Sequence, residues 1–335
     1  MKAYVYTDRI ALDALLPEDR ADPVLGPHDI ALRMRALSLN YRDLAIACGQ
    51  YHAAMMPPLI PISDGAGEVI AIGTNVTRFR PGDLVCPIYL PDWIDGPPTP
   101  EKLRRRLGGP NDGVMAELVR VHEEAAIHAP SHLDPFEAAS LPVAAVTAWH
   151  CLFELGHVRP GEVVVTIGTG GVSLAALQFA HAAGARPIAI TRREEHAAHL
   201  RSLGAHAVIV DCSDTWPPRV MELTNGIGAD VVLDVVGSAS VGRSIEATRH
   251  GGLVHLVGYA AGKEARFDIF EAIRHAVTIR TATAGSRQDF EKLVCVMEQH
   301  KIFPPIDRTF PISKFRDAFD YLQHGGHFGK VALTF

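Results

Sequence analysis

Residues 162–183 constrain this chain more tightly than any other stretch. Val163–Ile167 is short, β-branched and free of charge, the pattern of a parallel strand buried on both faces. It runs into Gly168-Thr169-Gly170-Gly171-Val172-Ser173, and an Ala/Leu-rich run over 173–183 then supplies a helix. The glycines allow a sharp turn and close approach of the backbone to a ligand. The free N–H groups and dipole of the helix start favour phosphate, so strand, Gly turn and helix together form a dinucleotide-binding geometry. Gly168, Thr169, Gly170, Gly171 and Val172 are therefore candidate cofactor-binding residues. Ser173 stands where the G-x-G-x-x-G pattern ends in glycine, and serine is still small enough for close helix–strand packing.

The same alternation continues downstream. Apolar runs at 187–191, 207–210, 231–236, 253–257 and 277–283 read as further strands, with a helix over 194–203 and glycines Gly184, Gly204, Gly237 and Gly258 closing elements. Such alternation predicts an α/β fold with a doubly wound parallel sheet, a Rossmann domain. Residues 1 to about 125 differ. Short runs at 30–37, 67–72, 84–88 and 115–121, punctuated by Gly and Pro, predict an irregular β-rich domain.

Composition excludes several function classes. The net charge is −6 and the one basic run, Arg104-Arg105-Arg106, reads as a solvated helix face, so neither nucleic acid nor an anionic membrane is an expected partner. No apolar run approaches the ~20 residues of a membrane span, and the chain opens on strand-like Lys2–Tyr6. The expected location is cytoplasmic. The five cysteines form no C-x-x-C pair, which argues against a disulfide framework and a four-cysteine zinc lobe.

Several ordered landmarks carry a family resemblance. Asn40-Tyr41-Arg42-Asp43, Ser63-Asp64-Gly65-Ala66-Gly67-Glu68-Val69, and Gly73 followed by Phe79-Arg80-Pro81-Gly82-Asp83-Leu84-Val85 resemble the medium-chain dehydrogenase/reductases. So do Gly113 to Glu117, Ala138 to Pro142, Thr147-Ala148-Trp149 and the closing His327-Phe328-Gly329-Lys330-Val331. The resemblance implies a GroES-like catalytic domain (1–126 and 287–335) around a Rossmann dinucleotide-binding domain (127–286). Alcohol dehydrogenases of that family hold catalytic zinc on a Cys, a His-Glu pair and a second Cys; the resembling positions here are Asn40, Ser63-Asp64 and Val143. Asn, Ser and Val do not rebuild a tetrahedral zinc site. The chain is therefore similar to the zinc-independent, quinone oxidoreductase-like branch, with no metal residues expected.

Without a Lewis acid, plain alcohol oxidation is hard, because nothing stabilises an alkoxide at neutral pH. Hydride delivery to a quinone or a carbonyl-conjugated alkene remains feasible, since the acceptor delocalises the incoming charge onto oxygen. The resemblance puts Asn40, Asp43 and Tyr51 at the catalytic site, Tyr51 as a hydrogen-bond or proton donor to an enolate oxygen. It also implies cofactor contacts at Thr147, Gly237, Gly258, Tyr259, Ser286 and Lys330. Cofactor choice rests on the tip of the second strand, Thr191-Arg192-Arg193, where NAD sites usually carry an acid. Arginines there suit a 2′-phosphate, so NADPH is favoured over NADH. The expected activity is reduction of a small electrophilic substrate by NADPH; alternatives are an enoyl-thioester or alkenal reductase and a non-catalytic NADPH-binding protein. The sixth Rossmann strand offers an edge for a homodimer.

Overall fold

The computed structural model describes residues 1–53 and 55–335. β1 (Lys2–Tyr6) and β2 (Leu15–Asp19) pair antiparallel. β3 (Asp29–Leu39) is the spine of the first sheet; its burial alternates with the two-residue period of a strand over 32–36 and is continuous over 36–39. β4 (Asp64–Ile72) and β6 (Leu118–His122) both pair antiparallel with β3, and β5 (Leu84–Pro87) lies between β4 and β7 (Ala126–His128).

The second sheet consists of β8 (Val163–Ile167), β9 (Arg186–Thr191), β10 (Ala207–Val210), β11 (Ala229–Asp234), β12 (Thr248–Leu256) and β13 (Thr278–Thr281). All its pairings are parallel, in the order β10-β9-β8-β11-β12-β13. The order reverses at β8, the switch point at which a doubly wound sheet presents its ligand crevice. Val163, Val165, Ile188, Ile190, Val232 and Val254 fill the core of this sheet. The helix expected over 194–203 is split into a 3₁₀ turn (Glu194–His196) and a short α-helix (Ala197–Ser202).

β14 (Ile306–Pro311) and β15 (Lys330–Thr334) return to the first sheet. β15 pairs antiparallel with β3, with Val331 opposite Leu39, which brings the two ends of the sequence together beside Asn40. The chain divides into two compact units, Met1–Val146 with Ala284–Phe335, and Thr147–Thr283. The boundary thus falls beyond the expected residue 126. β7 completes the first sheet, and the helix Pro135–Ala139, capped by Asp134, packs on β3 and β4. On the return, Ala284 packs with Tyr89, Leu90 and Trp93, and Arg287 N–H bonds the Trp93 carbonyl at 2.9 Å. No helix among the described residues is long and apolar enough to cross a membrane.

Candidate functional site

In the second unit the Gly turn leaves β8 as the sequence pattern implies. Gly168 adopts φ +82°, which disfavours a side chain, and its N–H bonds the Ile190 carbonyl of β9 at 2.8 Å. Gly170 is the N-cap of the helix Gly171–Ala182. A Cβ at Gly168 or Gly170 would meet no atom within 4 Å, so the turn borders open space. Residues 168–172 are all half-buried. Ser173 is fully buried and donates to the Ile167 carbonyl at 2.7 Å, so the hydroxyl that replaces the third glycine is satisfied by the strand it follows.

Gly258 at the end of β12 approaches β11 so closely that a Cβ would lie 1.7 Å from the Val235 carbonyl oxygen; Tyr259 follows it. Gly237 (φ +89°) sits in a loop organised by Asp234, a buried carboxylate that the sequence reading did not single out. Asp234 accepts from the N–H groups of Val236 and Gly237 and from the hydroxyls of Ser240 and Ser244, all at 2.6–3.0 Å. Thr147 is buried in the short helix Val146–Trp149.

At the tip of β9, Thr191 is buried and its hydroxyl accepts from Arg193 N–H at 3.2 Å. Arg192 forks onto both oxygens of Asp214 at 3.2 Å, and Arg243 reaches the same carboxylate at 3.5 Å. Two guanidiniums share one carboxylate, so this corner keeps a net positive charge. Arg193 instead pairs with exposed Glu195. Asp214 and Arg243 escaped the sequence reading because they lie, on a loop and on the helix Val241–Glu246, far from residue 192 in the chain.

The first unit contains a buried polar corner. Asn40 ends the extended run of β3 and precedes the helix Tyr41–Ala47; the Asp43 carboxylate reaches back to Asn40 N–H at 2.9 Å, a helix-start motif written in the three-residue spacing. The opposite face of Asn40 meets β15: Lys330 Nζ donates to Asn40 Oδ1 at 2.5 Å and to the Leu39 carbonyl at 2.7 Å. Asp64 accepts from Ser63 Oγ at 2.8 Å and from Val143 N–H at 3.1 Å. Asp43 also binds Arg42 Nη1 at 3.1 Å. Asp64 is 0%, Asp43 2% and Lys330 5% exposed, so these charges compensate one another rather than water.

Burial drives the titration of the corner. It raises Asp43 to about 6 against the pull of Arg42 and the Asn40 N–H. It also raises Asp64, opposed chiefly by Lys330. The Lys330 ammonium is lowered by burial and supported by Asp64 and Asp43.

Beyond Asp43 lies an aromatic cluster. Arg42 stacks over Tyr89 and Tyr51, its guanidinium carbon 4.9 and 5.4 Å from the ring centroids, and the two phenol oxygens are 3.5 Å apart. Tyr51 is half-buried and Tyr89 is buried. Asn40, Asp43 and Tyr51 thus belong to one connected cluster in which Arg42 and Tyr89 are the members not chosen from sequence. Two residues expected to contact the cofactor also hold the first unit together. Lys330 spends its ammonium on Asn40 and Leu39 inside the first unit, because the β15 register places it there. Ser286 caps the helix Arg287–His300, its hydroxyl accepting from Asp289 N–H at 3.1 Å.

Comparison with known proteins matches residues 26–131 to the alcohol dehydrogenase GroES-like domain family and residues 171–299 to the zinc-binding dehydrogenase family. A zinc-type alcohol dehydrogenase-like protein of Schizosaccharomyces pombe is 35% identical, with 98% of each chain covered. A 2-methylene-furan-3-one reductase of Solanum lycopersicum is 30% identical over 99% of this chain and 79% of its own. The crystal structure of a putative alcohol dehydrogenase from Sinorhizobium meliloti 1021 superposes with a TM-score of 0.92 at 36% identity, covering 100% of this chain and 98% of that one. Proteins named quinone oxidoreductase are also among the relatives.

Proposed function

The chain belongs to the medium-chain dehydrogenase/reductase superfamily of NAD(P)-binding oxidoreductases, and from that premise we propose that it is a zinc-independent, NADPH-dependent reductase of quinones or carbonyl-conjugated alkenes. One observation carries the reading: the Lys330 ammonium occupies the Asn40 corner, where alcohol dehydrogenases of the family have their first zinc ligand. A zinc ion does not fit these residues. Asn40 Oδ1 is taken by a cation, Val143 offers only a backbone donor, and no group of three or more His, Cys, Asp or Glu among the described residues could hold a metal. The word zinc in the names of the matched family and of the S. pombe relative belongs to those proteins.

The dinucleotide does fit. Gly168 to Val172, with the helix start at Gly171, would hold the pyrophosphate, and the open space beside Gly168 and Gly170 leaves room for it. The net positive Arg192–Arg243–Asp214 corner supports a 2′-phosphate and hence NADPH. When bound, the nicotinamide supplies a hydride. The side chains then have to settle the resulting charge on the acceptor oxygen, and Tyr51 supplies a phenolic proton donor for it. Asn40 holds its place through Lys330 and Asp43, which makes it a rigid edge of the site. For assembly the reading is a homodimer through β13, a sheet edge beside the helix Ile269–His275, whose Phe270 is 81% exposed and whose Ile269 and Ile273 are each 67% exposed. A cytoplasmic location accompanies it.

The test is NADPH oxidation by the purified chain with a panel of quinones, enones and enoyl thioesters. Turnover with the first two classes is expected. Tight NADPH binding without turnover of any of them would overturn the enzymatic reading.

A further inference from the structure

The phenol pair has an organiser that the proposed function does not use. Arg42 is 7% exposed and lies at the start of the helix Tyr41–Ala47. Its donors are fixed on three sides: Nη1 to Asp43 Oδ1 at 3.1 Å and to the Leu107 carbonyl at 3.2 Å, Nη2 to the Gly109 carbonyl at 3.2 Å. The loop that provides those carbonyls is shaped for the purpose. Gly108 and Gly109 adopt φ +70° and +131°, and a Cβ on Gly108 would collide with the backbone of Ile62 at 2.7 Å. A guanidinium clamped in this way cannot follow solvent, and the Tyr51 and Tyr89 rings rest on it.

We propose that Arg42 is the positioning residue of the proton donor: it holds Tyr51 and Tyr89 as one phenol pair, and its fixed charge stabilises the anion left when Tyr51 gives up its proton. The inference rests on the reductase reading. The electron pair that arrives with the hydride leaves negative charge on the acceptor oxygen. That oxygen takes the proton from Tyr51 Oη; the Tyr51 O–H bond breaks and its electrons remain as a phenolate. Tyr89 O–H donates a hydrogen bond to that phenolate across the 3.5 Å contact, and water later returns the proton. Burial pushes the Tyr89 phenol up and Arg42 offsets only part of that, so Tyr89 keeps its proton and can donate it in a hydrogen bond. Other groups facing the pair are Asp43, Arg106 and His52. The His52 ring lies 4.1 Å from that of Tyr51, and its Nε2 is 3.0 Å from Arg106 Nη1. Arg106 adds a second, more exposed positive charge, and Asp43 is already committed to Arg42.

The experiment uses the full chain with its seven tyrosines replaced by 3-fluorotyrosine, whose more acidic phenol brings the groups into reach of a ¹⁹F NMR titration. Tyr51→Phe and Tyr89→Phe assign the two resonances. Because Arg42→Met alone would strand Asp43, the comparison variant is Arg42→Met with Asp43→Asn, which removes the ion pair together and keeps a helix-capping side chain. A cooperative melt establishes that it folds. Measured against Asp43→Asn alone, so that the carboxylate is absent from both chains, the two resonances should titrate about one pH unit higher once the Arg42 charge is removed, and Arg42→Lys in the same background should restore part of the shift. With a quinone or enone acceptor, and again relative to Asp43→Asn, kcat should fall about tenfold while KM stays within about twofold, the signature of a group that acts on proton transfer. Unmoved midpoints, or a loss in KM alone, would overturn the role of Arg42. A wild-type chain with no turnover of any acceptor would remove the reductase reading, and the NMR midpoints would still decide whether Arg42 governs the pair.

Discussion

Lys330→Met is the most informative single perturbation of the buried corner. The substitution keeps the length and apolar stem of the side chain but removes the ammonium that neutralises Asp43 and Asp64 and holds Asn40 Oδ1 and the Leu39 carbonyl. With Arg42 left to balance two carboxylates, the corner carries an uncompensated buried charge, and removing one partner of such a group costs about 3–5 kcal/mol. A unit of this size loses about 2–4 °C of Tm per kcal/mol, so the melt at pH 7.5 should move down by about 10 °C. The sign of the pH dependence is fixed. Asp43 already stands at about 6 rather than its usual 3.8, and loss of Lys330 raises it and Asp64 further. A carboxyl with a raised folded-state value favours the fold fully below its unfolded value, and that contribution is lost as pH rises through the folded value. The deficit of the variant should therefore shrink between pH 8 and pH 5. Adding Asp64→Asn should recover most of it at pH 7.5. Thermal melts by circular dichroism across that range are the assay. A Tm within about 2 °C of wild type, or a deficit that grows towards pH 5, would refute the charge accounting.

Other sites give further tests. Gly170 has φ −80° with open space around its missing Cβ, so Gly170→Val should lower the melt by only a few degrees, the cost of a poorer helix N-cap (about 1 kcal/mol), while its side chain takes the phosphate's room; calorimetry should show NADPH affinity falling by more than about tenfold. Arg192→Ser should weaken NADPH about tenfold and leave NADH within about threefold, from the loss of one charge-assisted contact. Equal losses for both cofactors would place Arg192 away from the 2′-phosphate. Phe270→Glu with Ile273→Lys should convert a dimer to a monomer in light scattering at micromolar concentration; an unchanged mass would move the interface elsewhere.

The parallel sheet was legible because its central strands β8, β9 and β11 are buried on both faces, and an unbroken run such as Val163–Ile167 has few other uses. The Gly turn was legible for a related reason: its positions are set by local backbone conformation. Residue 126 failed as a boundary because β7 is three residues long and the helix after it is short; only their packing on β3, β4 and β5 assigns them to the first unit. Within the site, Asn40 and Asp43 could be read together from their spacing, but Lys330 could not be placed with them. Its partners lie about 290 residues away, and only the antiparallel register of β15 on β3 joins them. Asp64 looked like a residue stripped of a metal, yet it is a fully buried member of a four-charge balance. Arg42 was visible as a landmark letter and silent as chemistry, because a guanidinium in sequence looks solvated until Leu107 and Gly109 are seen to grip it.

The central claim is that a metal-free site delivers hydride to an electron-poor acceptor. The direct measurement is steady-state NADPH oxidation with a quinone and an enone, before and after dialysis against a strong chelator, with plain primary and secondary alcohols assayed in the reverse direction. Turnover of the quinone or enone that is unchanged by chelation, with alcohols left unoxidised, is the predicted result. Efficient alcohol oxidation that disappears with the chelator and returns with zinc would contradict it.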